Sequence, residues 1–205
     1  LVTVFITIAG TALSIFLLVI SAYPLSKKDL KGHRFFMGMV LFTMFFNGGM
    51  ISNYILIRGI KLQNTVWSLI IPGCISAFNL ILMKNFILQS IPDALEEAAR
   101  IDGCSDFGIF MKVILPVIKP AMASWGAITL IARWNDFFWP LLYLRKQVKY
   151  TLMVTISLLP VSEGLSTPWP VILAGTTLVI IPIIVLYLIL ERFQKAGMME
   201  GAVKG

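Results

Sequence analysis

Residues 1–23, 35–57, 62–83 and 169–190 contain not one charged side chain. A helix needs about 20 mostly apolar residues to cross the hydrocarbon core of a bilayer. Each stretch meets that length, and a fifth, about 120–144, is interrupted only by Arg133 and Asp136. Backbone buried in lipid has no water to bond, so helices or closed barrels are the only spanning solutions. The apolar runs do not alternate in strand fashion, which argues against a barrel. The expected fold is therefore all-α and transmembrane: five spans in a single membrane domain over residues 1–205.

Charge supports that reading. Charged residues make up 13% of the chain, against about 25% in ordinary soluble domains. A net charge of +7 would suit nucleic acid, but the cations sit in loops between spans, where they set orientation. Lys27, Lys28, Lys31, Arg34, Lys84, Arg100, Lys112, Lys119, Arg192, Lys195 and Lys204 fall on one side, eleven in all. Arg58, Lys61, Arg133, Arg145, Lys146 and Lys149 fall on the other, six in all. The richer side is assigned to the cytoplasm, which places Glu97 and Cys104 inside, the 145–168 loop outside, and Leu1 outside. The chain starts without methionine, and residues 1–23 lack the basic lead-in of a signal peptide. A further span before Leu1 is the expectation that accounts for both. Cys74 in a span and Cys104 inside make a disulfide implausible. With His33 the sole histidine, no metal cluster is expected.

Between Lys84 and Lys119 the chain is too charged to cross a membrane, yet it favours helix. Asp93-Ala94-Leu95-Glu96-Glu97-Ala98-Ala99-Arg100 has high helix propensity. Pro92 suits a first helical turn, with Ser90 a candidate N-cap. Gly103 after Asp102 accepts the left-handed conformation that ends a helix. Ser105 or Asp106 can start a second short helix through Lys112, after which Leu115-Pro116 leads back into the membrane.

Elsewhere, Asn47-Gly48-Gly49 allows close helix approach, a frayed end, or unwinding beside a transport path. Pro72-Gly73 predicts a kink. Asn79 should face protein or water, as an interhelical hydrogen bond or as a substrate contact. Arg133 and Asp136, three residues apart, share a helix face, and each is the other's expected partner. Trp134, Phe137, Phe138 and Trp139 suit an interfacial aromatic belt or, with Asn135, the outer part of a transport path.

The spacing Glu97-Ala98-Ala99, three residues, Gly103, nine residues, Val113-Ile114-Leu115-Pro116 resembles the signature loop of permease subunits of ATP-binding-cassette importers, with Val113 where isoleucine is usual. Residues 91–103, the run Trp134-Asn135-Asp136-Phe137-Phe138-Trp139-Pro140-Leu141 and the tail Gly201-Ala202-Val203-Lys204-Gly205 are similar to maltose-type sugar permeases. Phe45-Phe46-Asn47-Gly48-Gly49-Met50-Ile51 resembles the branch that serves complex oligosaccharides. The resemblance implies a six-span core and a cytoplasmic coupling loop at about 90–116 that docks in the ATPase subunit. Glu97, Ala98, Ala99, Asp102, Gly103, Leu115 and Pro116 are the implied coupling residues. A small-residue face of Ala94, Ala98 and Ala99 would let the helix enter a groove, with Glu96, Glu97, Arg100 and Asp102 supplying peripheral polar contacts.

It also implies a second permease subunit, two ATP-binding subunits and an extracellular sugar-binding protein. Asn79, Trp134, Asn135 and Asp136 are candidates for the substrate path. No Gly-x-x-x-x-Gly-Lys-Ser/Thr loop occurs, so ATP and magnesium belong to the partner. No catalytic cluster stands out, so the chain itself is not expected to be an enzyme. The alternatives are a permease for amino acids or phosphate, or a self-contained secondary transporter. The latter should show internal repeats, which the sequence lacks.

Overall fold

The computed structural model describes residues 1–27, 29–162 and 169–202; the side chains of 160–162, 186 and 189–202 fall outside the description, as do Lys28, the stretch 163–168 and the tail residues Val203, Lys204 and Gly205. All regular elements among the described residues are helical. They are α1 (Val2–Ser26), α2 (His33–Phe45), α3 (Gly49–Gly59), α4 (Trp67–Ile70), α5 (Ala77–Ser90), α6 (Asp93–Ile101), α7 (Asp106–Ile109), α8 (Leu115–Trp134), α9 (Phe138–Tyr143), α10 (Leu152–Ser162) and α11 (Trp169–Ala202). A π-helical turn, Phe110–Ile114, joins α7 to α8, and a 3-10 turn covers Gln147–Lys149. Cys74 and Cys104 are free thiols.

Among the described residues, two helical runs, Val2–Ser26 and Asp106–Trp134, are each long and apolar enough to span a membrane, and α2 with α3 makes a third if the interrupted pair counts as one. The expected span at 35–57 is therefore broken. Phe46 is extended, with φ −105° and ψ 100°, and Gly49 has φ +76°, a backbone that side chains with a Cβ resist. The expected span at 62–83 is broken more completely. Helix α4 ends at Ile70, and α5 starts only after Ser76, whose Oγ accepts the Asn79 amide at 3.5 Å. Pro72-Gly73 thus does more than kink a helix: it lies in a six-residue interruption.

The short second helix expected through Lys112 is instead the start of the run that continues to Trp134. Pro116 and Pro120 each remove a helical donor. The wider π turn just before Pro116 relieves the strain without ending the helix.

The chain folds as two compact units: Leu1–Leu13 with Gly48–Cys74 and Gly126–Gly205, and Ser14–Asn47 with Ile75–Trp125. In the second unit the interior is one apolar cluster. Leu18, Ala22 and Leu25 of α1 meet Leu80, Met83 and Ile87 of α5, together with Ala99, Ile109, Ile114 and Ile118. Each helix contributes residues three or four apart, the spacing that keeps side chains on one face. Helix α2 buries none of its residues in the chain. Phe35, Phe42 and Phe45 stand exposed on it, as lipid or a neighbouring subunit would accommodate.

The first unit is knitted by polar contacts at loops. Asn64 takes φ +61°, which asparagine tolerates. Its Oδ1 accepts the amides of Arg145 (3.1 Å) and Lys146 (3.2 Å), and its own amide donates to Tyr143 O at 2.9 Å. Lys149 Nζ donates to its carbonyl at 2.5 Å. One residue thereby fixes the loop after α3 to the loop after α9.

Candidate functional site

Helix α6 follows from local rules. Ile91, which precedes proline, is extended at φ −124° and ψ 102°, as the proline ring requires. Helix α5 ends there, and Pro92 at ψ 141° opens α6. Ser90 is therefore the last residue of α5 and not the N-cap of α6. The other end is a Schellman motif. Cys104 N donates to Ala99 O and Gly103 N to Arg100 O, both at 3.0 Å, with Gly103 at φ +78°. These bonds satisfy carbonyls that the helix leaves open. Ser105 caps the next helix, accepting Gly108 N at 3.2 Å.

Only Glu96 and Ala99 of α6 are buried. Glu96 forms an ion pair with Lys27 of the α1–α2 loop. Ala94, Leu95, Glu97, Ala98, Ile101, Asp102 and Gly103 are exposed. Ile101 is 87% exposed and Phe107 nearby 72%, an apolar display beyond what a lone solvated helix needs. The expected small-residue face is thus revised. Ala94 and Ala98 face outward with Leu95 and Ile101, whereas Ala99 packs inward. Of the four expected peripheral polar groups, Glu96 is turned inward, and Arg100 donates to Asp106 Oδ1 at 3.1 Å. Glu97 and Asp102 remain on the outer surface. Leu115 is half-buried and Pro116 exposed, both on the long helical run rather than in a separate lead-in.

The candidates for the substrate path are distributed differently. Trp134, Asn135 and Asp136 cluster where α8 ends. Trp134 Nε1 donates to Val179 O at 3.1 Å, beside Leu178, whose carbonyl lacks its helical donor because Pro182 has no N–H. Trp134 also lines a cavity of about 320 Å³ with Val4, Thr7, Ile8, Ile131 and Pro182. The lining is apolar, and the Thr7 hydroxyl is buried behind it without a hydrogen-bond partner. Asn135 is exposed and bonds back to Ile131 O at 3.0 Å. Asp136 accepts Trp139 N at 3.3 Å and so caps α9. Asn79, half-buried in the first turn of α5, belongs to the other unit.

Arg133 does what spacing alone did not predict. Its guanidinium donates to Leu69 O (3.0 Å), Ile70 O (3.5 Å) and Gly73 O (2.8 Å). These carbonyls lie at the end of α4 and in the interruption after it, where no further helical turn supplies donors. A cation is well placed at a helix C-terminus. Both side chains also serve as helix caps, beside the electrostatic attraction that their spacing led one to expect. Gly10 of α1 lies against the guanidinium, and a Cβ there would come within 2.7 Å of it.

Sequence reasoning missed the Lys27–Glu96 pair, the Arg133 cap and the Asn64 latch. All three join residues far apart in the chain, and no local pattern marks them. The one signal was the oddity of an arginine inside an otherwise apolar span.

Comparison with known proteins fits this geometry. The chain is 37% identical to protein LplC of Bacillus subtilis, over all of this chain and 73% of that protein. It is 38% identical to the polygalacturonan/rhamnogalacturonan transport system permease protein YtcP of the same organism, over all of this chain and 76% of YtcP. Among solved structures, a bacterial ABC transporter involved in the import of the acidic polysaccharide alginate matches with a TM-score of 0.85 and 34% identity, over 93% of this chain and 72% of that one. The model of the binding-protein-dependent transport system inner membrane component family matches residues 1–197. The chain belongs to that family, and it is a membrane permease subunit of an ATP-binding-cassette importer, not itself an enzyme.

Proposed function

We propose that this chain forms half of the translocation pathway for oligosaccharides in the cell membrane of a prokaryote, as a single multi-pass permease domain. The region 90–116 is its cytoplasmic coupling loop, with Glu97, Ala98, Ala99, Asp102, Gly103, Leu115 and Pro116 as the coupling residues. The observation that carries this reading is the exposed, apolar outer face of α6, held between a proline start and a glycine stop. Ala94, Leu95, Ala98 and Ile101 form a shallow hydrophobic centre, and Glu97 and Asp102 form its polar edge. That is the anatomy of a docking surface. Ala99 acts through its inward packing, and Leu115 and Pro116 by carrying the loop into α8.

The partners that complete such a machine are a second permease subunit, two ATP-binding subunits and an extracellular sugar-binding protein. ATP and magnesium are bound by the ATPase, and this chain holds no cofactor. The substrate class rests on two relatives, one named for polygalacturonan/rhamnogalacturonan transport and one involved in the import of the acidic polysaccharide alginate. Trp134, Asn135, Asp136 and Asn79 remain the candidates for contact along the path.

The test uses the whole importer in proteoliposomes, with its binding protein and a panel of oligosaccharides, amino acids and phosphate. Substrate-stimulated ATP hydrolysis should respond to oligosaccharides. Stimulation by an amino acid or phosphate, with none by any saccharide, refutes the substrate class.

A further inference from the structure

The face that α6 presents depends on the roll of a nine-residue helix about its own axis. Apolar burial offers little to set that roll. Ala99 is the one apolar side chain that α6 buries, Glu96 the one charged side chain. Leu95 and Ile101 point away from the chain. A single methyl group is a weak anchor, and the Schellman bonds fix only the last turn. Besides the solvent-exposed pair of Arg100 with Asp106, the remaining attachment is the ion pair of Glu96 with Lys27.

That pair has the marks of a designed contact rather than a surface coincidence. The Lys27 side chain is 28% exposed and the Glu96 side chain 11%, so solvent screens it far less than an exposed pair. Lys27 Nζ also lies 4.9 Å from the centre of the Tyr23 ring, where a cation is attracted to the ring face. Tyr23 in turn packs on Phe110 with ring centres 5.3 Å apart. Ser26 Oγ donates to Tyr23 O at 2.6 Å, fixing the end of α1 from which Lys27 extends. A rigid chain of contacts therefore runs from the last turn of α1, through Lys27, to the inner side of α6, and through Tyr23 to the π turn before α8.

We infer that Lys27 is a positioning residue for coupling: by holding Glu96 inward it sets the roll of α6 that presents Ala98 and Ile101 to the ATPase, and it ties that face to the end of α1. This inference rests on the docking reading of α6. With the pair broken, Glu96 has no reason to stay buried without a counter-charge. Its escape to solvent turns Ala98 and Ile101 out of register.

The test uses the complete importer and measures membrane abundance, ATPase co-purification and substrate-stimulated ATP hydrolysis. Lys27→Met and Glu96→Gln should each lower ATPase retention about tenfold, within the range measured for strongly coupled pairs. Lys27→Arg, and the exchange of Lys27→Glu with Glu96→Lys, should restore most of it. A role in general folding would lower membrane abundance together with retention, and abundance is measured separately. Ala98→Trp on the outer face serves as the reference for docking. If Ala98→Trp abolishes retention while Lys27→Met and Glu96→Gln leave it normal, the positioning role is refuted and the docking reading stands. Losses that the charge exchange fails to recover, at normal abundance, also overturn it. If Ala98→Trp is silent too, the docking reading itself falls. Should Lys27→Met fail to reach the membrane, the near-isosteric Glu96→Gln decides.

Discussion

Replacing Arg133 by methionine keeps a long flexible side chain but removes the cap from α4. Leu69 O and Gly73 O then lose donors at 3.0 and 2.8 Å, whereas Ile70 O keeps the Cys74 thiol at 2.9 Å. A buried acceptor left unpaired costs about 1–3 kcal/mol, and Leu69 O is the buried one, whereas Gly73 is exposed. Releasing the guanidinium from its burial offsets part of this, and about 1–2 kcal/mol of destabilisation is expected. The companion change is Gly10→Ala. Its Cβ would lie 2.7 Å from an Arg133 nitrogen and 2.9 Å from the guanidinium carbon, well inside van der Waals contact. The guanidinium must retreat by several tenths of an ångström, which weakens bonds that are near their optimum.

Gly10→Ala should therefore destabilise the native protein. In the Arg133→Met background the obstacle is gone, and alanine outranks glycine in a helix by about 1 kcal/mol. The sign should reverse. The measurement is the thermal-unfolding midpoint of the purified importer for both single variants and the double variant. The same shift from Gly10→Ala in both backgrounds would show that Gly10 and Arg133 are not coupled and would sink this account of the clamp.

Other consequences are more direct. Gly103→Asp puts a side chain at φ +78° at a cost of about 1 kcal/mol or more; ATPase co-purification and substrate-stimulated hydrolysis should both fall, and normal values at normal abundance would exclude this loop as the coupling element. Asn64→Ala removes the acceptor for the Arg145 and Lys146 amides. Hydrogen exchange at those two amides should accelerate about tenfold, for a loss of order 1.4 kcal/mol; unchanged rates would mean the loop is held from elsewhere. With native cysteines removed, an impermeant thiol reagent applied to intact cells should label Gln147→Cys and spare a cysteine at position 104, and the opposite pattern inverts the topology. Purified complexes should contain a second permease subunit and two ATPase subunits, and a transport-active assembly with this chain as its sole permease would contradict that.

What could be read from the sequence, and what could not, divides along the range of the interactions. Residues 93–103 were legible as a helix with a glycine stop because every determinant is local: alanine and glutamate propensity, a proline start, and Gly103 at a left-handed position. Local rules failed where they were applied one residue too far. Ser90 looked like a cap because serine usually is one, but the demand of Pro92 on Ile91 falls between them and decides where α6 begins. The apolar runs identified a membrane protein and overstated its regularity. Hydropathy sums over a window, and a run such as 62–83 keeps its average whether Pro72-Gly73 bends a helix or ends it.

The difference between bending and ending lies in who supplies the missing hydrogen bonds. A helix that stops inside an apolar region leaves carbonyls that neither water nor another turn can reach, so a stop there requires a donor from elsewhere in the chain. Arg133 is that donor, 60 residues beyond Gly73. The two irregularities in the sequence, a Pro-Gly pair in one uncharged run and an arginine in another, are therefore one feature. Each is costly alone: a broken helix with open carbonyls, and a half-buried guanidinium whose N–H groups need acceptors. Together they satisfy each other. The same logic explains Glu96. A carboxylate on the inner side of α6 is inconsistent with its apolar surroundings until Lys27 is placed opposite it. For Arg133 the residue that breaks the local pattern marks the long-range contact, whereas Lys27 in a basic loop and Glu96 in a charged helix each fit their own segment, and only the fold pairs them.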